Sequence, residues 1–318
     1  MNAIETHDLT RYYDALCAVY HLSLTVNNEI FGLLGPNGSG KTTTVLMLTT
    51  LLTPSAGSAS VCGYDVARDG EKVRRQLSYV PQDMAVDIKM TGRENVLFFA
   101  HLYGVTDPKG RTDEALAVME LTDRAGDLVK NYSGGMRRRL ELAQALVHEP
   151  RVLFLDEPTI GLDVAARKKI WEHIRELRKN GMTIFVTTHY MDEADQFCDR
   201  VGIISNGKIM ALDTPAALKS QLMKDVITAR FSGTFVAPAI EGIRLIACND
   251  GEVSFTAENG REALPLVAQA LNRPGMTVHS LSMREPTLDD VFLHAVGNQE
   301  EPHNFDEHRF QTMLRRSK

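Results

Sequence analysis

The segment Gly35-Pro36-Asn37-Gly38-Ser39-Gly40-Lys41-Thr42 constrains the fold of this chain more than any other stretch. It fits the pattern G-x-x-x-x-G-K-[ST] at every fixed position, and the residues before it, Ile30-Phe31-Gly32-Leu33-Leu34, read as a buried strand. Strand, loop and helix in that order are the setting in which this motif cradles phosphate. Gly35, Gly38 and Gly40 let the backbone curl until successive N–H groups face phosphate oxygens. The helix starting near Lys41 adds its positive dipole end. The Lys41 ammonium reaches β- and γ-phosphates, the Thr42 hydroxyl is a ligand for Mg²⁺, and Thr43 closes the phosphate-binding set. These residues imply a nucleoside-triphosphate site.

Composition narrows the setting. A chain of 318 residues, 43% hydrophobic and 24% charged, can bury one large core and one small one. Its net charge of −6 argues against a nucleic-acid binder, which carries a basic excess. No apolar run reaches the length of a membrane span, and the N-terminus lacks the layout of a signal peptide, so the chain reads as cytosolic. Cys17, Cys62, Cys198 and Cys248 have no bridging or metal-ligand spacing and read as small buried hydrophobes.

Periodicity gives the organisation. Residues 2–34 are β-rich, and Leu22-Ser23-Leu24-Thr25-Val26 alternates at the strand period. Residues 43–52 read as a helix, although threonine gives it poor propensity. Short strands follow near 58–62 and 76–80. Helices are expected at 93–103, 111–120 and 135–147, then strands at 152–155 and 183–186 with helices at 165–180 and 191–198. Thr214-Pro215 caps a further helix. Past a boundary near Lys224 come two or three strands, a helix at 261–271, a strand at 276–283 and a helix at 287–296. The last is expected to close the small domain with Leu288, Val291 and Phe292. Residues 297–318 read as a flexible tail with a short amphipathic helix near 310–314.

Two further features bear on chemistry. Val152-Leu153-Phe154-Leu155 ends on Asp156-Glu157. Beside a phosphate loop, Asp156 fits the acid that organises Mg²⁺, and Glu157 is placed to polarise a water. Taken singly, the pair reads equally as a strand stopping at a solvated acidic turn. Tyr132-Ser133-Gly134-Gly135 opens a helix with a good cap and uncovered N–H groups, which makes either a second anion site or an ordinary helix start. Arg137-Arg138-Arg139 reads as a solvated helix face with one packed member.

In order and spacing, the phosphate loop, Gln82, Ser133-Gly134-Gly135, Asp156-Glu157-Pro158-Thr159, Gly161-Leu162-Asp163 and His189 resemble the nucleotide-binding subunit of an ABC transporter over residues 3–222. The resemblance implies an α/β fold: a P-loop NTPase core with a β-rich N-terminal part and a helical signature subdomain at about 84–147, all within 1–224. A small α+β domain at 225–297 and a tail at 298–318 follow. It implies that Tyr13 (or its neighbour Tyr12) stacks on adenine and that Gln82 touches Mg²⁺. It implies that Ser133, Gly134 and Gly135 cap the γ-phosphate of ATP held by a second subunit, and that Asp163 crosses the dimer interface. Glu157 becomes the general base and His189 the γ-phosphate switch. The signature reads Tyr-Ser-Gly-Gly-Met where Leu-Ser-Gly-Gly-Gln is commonest, and Met136 cannot supply the glutamine's hydrogen bonds. Asn27-Asn28 replaces a usual glycine.

Tyr132-Ser133-Gly134-Gly135-Met136, Thr91-Gly92-Arg93-Glu94-Asn95 and Glu285-Pro286-Thr287-Leu288-Asp289-Asp290-Val291-Phe292-Leu293 together are similar to the daunorubicin-resistance type of exporter ATPase. That type implies ATP and Mg²⁺ as cofactors, a homodimer, a separate ABC-2 type permease as partner, and a peripheral place on the cytoplasmic side of the membrane. An importer ATPase and an ABC-type factor acting on ribosomes or nucleic acid stand as alternatives.

Overall fold

The computed structural model describes residues 2–221 and 225–297. In chain order its elements are β1 (Ile4–Tyr13), β2 (Leu16–Val26), β3 (Ile30–Leu34), α1 (Lys41–Leu48), β4 (Ala56–Val61), β5 (Tyr64–Asp65), α2 (Gly70–Arg74) and β6 (Leu77–Val80). Then come α3 (Gly92–Leu102), α4 (Pro108–Val118), α5 (Gly134–Leu146), β7 (Val152–Asp156), α6 (Val164–Lys179), β8 (Thr183–Thr188) and α7 (Met191–Phe197). A hairpin of β9 (Arg200–Ser205) and β10 (Lys208–Asp213) leads to α8 (Pro215–Ser220). Last are β11 (Asp225–Gly233), β12 (Ile243–Asn249), β13 (Glu252–Ala257), α9 (Gly260–Leu271), β14 (Met276–Arg284) and α10 (Leu288–Gly297).

Among the described residues the strands form three sheets. The central one runs β10-β9-β3-β8-β7-β6, with β9, β3, β8, β7 and β6 parallel and β10 antiparallel at one edge. Its parallel strands are buried on both faces, and the period of two divides them between two cores. Leu153, Leu155 and Ile184 join a core under the helices that holds Trp171, while Phe31, Leu33, Phe154 and Phe185 face α1 and the antiparallel sheet β2-β1-β4-β5. Parallel strands deliver their loops to one end, so the turns after β3, β7 and β8 meet there.

The helical segment is anchored by caps that its sequence announces. Thr91 and Glu94 form a reciprocal capping box on α3, and Asp107 caps α4 with Pro108 at its first position. α4 therefore starts before the expected residue 111. α1 spans 41–48, not 43–52. Thr49 returns its hydroxyl to Val45 O at 2.9 Å, and Thr50 turns left-handed at φ 65°, which ends the helix. Cys62 and Cys198 are buried as expected, but Cys17 is only half-buried and Cys248 is exposed on the edge strand β12.

The third sheet, β12-β13-β11-β14, carries α9 on one face, with Ile227, Phe255, Val267 and Leu271 at the centre of their own cluster. The expectation that the last helix closes this small domain is corrected. α10 contacts β12, but it packs also on α7, α8 and β10, and Leu288 and Val291 are buried in the large core of the first domain. Arg284 anchors the start of this helix by a paired contact with Asp290, whose carboxylate also accepts from Thr287 N at 2.8 Å. The boundary near Lys224 and the tail with its short helix lie outside the described residues.

Candidate nucleotide site

The phosphate loop has the backbone that its glycines allow. Gly38 and Gly40 sit at φ 81° and 106°. A Cβ on Gly40 would meet Ala18 O at 2.4 Å, and one on Gly35 would meet Ile204 O at 2.2 Å. Lys41 begins α1 and is buried, and its ammonium donates to Gly35 O at 2.8 Å and Pro36 O at 3.1 Å. Ser39 Oγ is buried and makes no hydrogen bond. A left-handed glycine cradle with an unpartnered hydroxyl beside a buried ammonium fits an anion. Pro36, Asn37 and Thr42 are exposed at its mouth, and Thr43 is half-buried behind them.

The turns after β7 and β8 bring the acids to the same place. Glu157 Oε1 lies 3.5 Å from Lys41 Nζ, and Glu157 Oε2 lies 2.8 Å from His189 Nδ1. Glu157 itself is left-handed at φ 48°, held by its N–H to Thr187 O and Thr187 Oγ1, both at 3.1 Å. A non-glycine residue in that region stores strain, which suits a side chain aimed by its turn. Asp156 is 1% exposed and accepts from Thr187 Oγ1. Burial, with the charge and hydrogen bond of Asp156, pushes the Tyr79 phenol up to about 12, so it remains a donor to that carboxylate.

Among the described residues no group of three or more His, Cys, Asp or Glu could cage a metal. One buried carboxylate, Asp156, and one exposed hydroxyl on the phosphate loop's helix, Thr42, suit Mg²⁺, which takes few protein ligands and shares phosphate oxygens. Gln82 is exposed just past β6, at the strand end that Pro81 begins.

Ser133 caps α5, its Oγ accepting from Met136 N at 3.2 Å, and is exposed. The nearest atoms to a Cβ on Gly134 or Gly135 belong to Leu162 and Ala166. Asp163 caps α6 through Ala166 N at 2.9 Å. Two helix starts, one opened by Ser133 and one by Asp163, thus lie side by side. Tyr13 ends β1, is 41% exposed, and has the Arg11 guanidinium 5.1 Å from its ring centre.

One group was only half legible in sequence. Arg138 is the packed arginine of its run. It donates to Pro81 O (2.8 Å), Asp156 O (3.1 Å), Pro158 O (3.0 Å) and Glu141 Oε2 (2.9 Å). Glu141 in turn accepts from Ala85 N at 2.5 Å. This pair ties the helix behind Ser133 to the segment of Gln82 and to the turn of Glu157. The i,i+3 Arg–Glu spacing was the available signal.

Fold and phosphate loop together define a P-loop nucleotide hydrolase that also carries an exposed, serine-capped helix start at α5. A model of the ABC transporter family matches residues 19–160, and a model of the C-terminal domain of DrrA1-3-like ATP-binding proteins matches 214–296. The daunorubicin resistance ATP-binding protein DrrA3 of Streptomyces coeruleorubidus is 39% identical over 93% of this chain and 96% of its own. The linearmycin resistance ATP-binding protein LnrL of Bacillus subtilis is 34% identical over 92% and 98%. Among solved structures, an ATP-binding subunit of an ABC transporter is 29% identical with a TM-score of 0.62, covering 69% of this chain and 92% of that one. The chain belongs to the ABC transporter ATP-binding subunits of the daunorubicin-resistance type. It is an ATP-hydrolysing motor subunit of an exporter.

Proposed function

We propose that two copies of this chain close head to tail over two ATP molecules, each held between the Lys41 loop of one copy and the Ser133 turn of the other. The observation that carries this reading is the exposed α5 start at Ser133 and Gly134 abutting the equally exposed Asp163 turn, since a helix start offers backbone N–H groups to an anion. Lys41 neutralises β/γ-phosphate charge. Glu157 takes a proton from the attacking water, held in place by its contact with His189, which also senses the γ-phosphate. Thr42, Gln82 and Asp156 hold Mg²⁺, which supplies charge neutralisation on the phosphates. Tyr13 stacks on adenine.

Closure passes through Gln82 and the Arg138–Glu141 pair to the helices of 92–147, and from them to a separate ABC-2 type permease. The chain then works from the cytoplasmic face of the membrane as a peripheral subunit. No helix among the described residues is long and apolar enough to cross it. No nucleic acid takes part. The residues before 225 form the ATP-binding domain, and those of 225–297 form an accessory domain whose last helix, α10, packs into the core of the first.

Glu157→Gln tests the sandwich. It preserves shape and removes the base, so Mg·ATP should accumulate as a dimer on size-exclusion chromatography. A strictly monomeric variant, with its permease present, contradicts the model.

A further inference from the structure

Two segments meet at Glu157 and His189: the turn that runs from β7 to α6, and α7 with the two residues before it. Their reacting side chains touch through the 2.8 Å contact already described. A second link runs beside the first. Thr159, two residues past Glu157 and 1% exposed, donates its hydroxyl to Glu193 Oε2 at 2.7 Å. Glu193, four residues past His189, is 5% exposed. Its other oxygen, Oε1, makes no hydrogen bond and lies 3.9 Å from Arg167 Nη1.

Arg167 on α6 spans the same two segments. Its Nε donates to Leu162 O at 3.0 Å, and its guanidinium lies 4.4 Å from the ring centre of Tyr190, the neighbour of His189. A buried carboxylate is costly unless paired, so Glu193 is held where both partners are. We propose that Glu193 is a positioning residue for hydrolysis. Through Thr159 it fixes the 157–163 turn against α7, and so fixes Glu157 relative to His189. It does not touch the nucleotide. The inference rests on the role given above to Glu157.

The test separates reach from charge, in the full-length chain. Thr159→Val removes the donor, and Glu193→Asp keeps the charge but is one methylene too short. Glu193→Gln keeps the reach, and Thr159→Ser keeps the hydroxyl. A misplacement of about 1 Å costs on the order of a hundredfold in rate. Thr159→Val and Glu193→Asp should therefore lose about ten- to a hundredfold in kcat while KM for ATP stays within about twofold. Thr159→Ser and Glu193→Gln should stay within about threefold of wild type.

Melting curves identify any variant that fails to fold, and Glu193→Asp serves if Thr159→Val is one. Glu157→Gln runs alongside. If it turns over normally, the assignment of the base fails. If it is dead while a folded Thr159→Val or Glu193→Asp keeps kcat within twofold, the positioning role is overturned. A kcat that falls only together with nucleotide affinity overturns it as well.

Discussion

Replacing Arg138 by Met should be among the most destabilising single changes in this chain, and the structure says by how much. Arg138 and Glu141 are both 3% exposed, and the guanidinium also serves three backbone carbonyls. Arg138→Met leaves the Glu141 carboxylate buried with only Ala85 N–H as a donor. Breaking a buried pair from one side costs about 3–5 kcal/mol. Glu141→Leu is milder, about 2–3 kcal/mol, because Arg138 keeps its carbonyl acceptors. The double variant removes both charges and should cost about 3–4 kcal/mol, well short of the sum, for a coupling of about 2–4 kcal/mol. Urea unfolding followed by circular dichroism measures all four proteins. Additive losses, or an Arg138→Met loss under about 1 kcal/mol, refute the reading that this pair clamps the site together.

Gly40→Ala should abolish nucleotide binding, since its Cβ would lie 2.4 Å from Ala18 O, whereas Gly38→Ala meets nothing within 4 Å and should lose less, through the strain of an alanine at φ 81° alone. Fluorescent-nucleotide titration compares them, and equal losses contradict the cradle geometry. Ser133→Arg should leave folding and ATP binding intact and stop turnover, because the new cation sits on an exposed helix start; normal turnover removes that turn from the reaction. Ending the chain at residue 224 should leave ATP affinity within about tenfold yet lower the melting temperature, because Leu288 and Val291 leave the large core. Burying a Leu in that way is worth about 2–5 kcal/mol, and an unchanged melt would mean that α10 contributes nothing to the first domain.

What the sequence disclosed, and what it withheld, follows from how local each feature is. The phosphate loop is made by its own glycines, so reading it needs no distant partner. Asp156 and Glu157 were legible because an apolar strand must stop somewhere, and two acids at its end mark that place. Of three consecutive arginines, only the helix register decides that Arg138 faces the strand ends with Glu141. Thr187 under Asp156, and Glu193 under Thr159, have partners 31 and 34 residues away, and no pattern along the chain announces such pairs. The amphipathic stripe of α10 announced that Leu288 and Val291 would be buried. It could not say against what, because a stripe specifies a face and not a partner. α1 stopped early for a reason visible in its composition, the threonines whose hydroxyls compete for the helix carbonyls.

The central claim is that Lys41, Glu157 and His189 form one hydrolytic centre. The most direct measurement is phosphate release from Mg·ATP by the full-length chain, alongside ATP binding, for wild type, Lys41→Ala and Glu157→Gln. Lys41→Ala should lose binding and turnover together. Glu157→Gln should bind ATP within about threefold of wild type and release phosphate at least about a hundredfold more slowly, the contribution expected of a general base. A Glu157→Gln protein that releases phosphate at the wild-type rate would contradict the account.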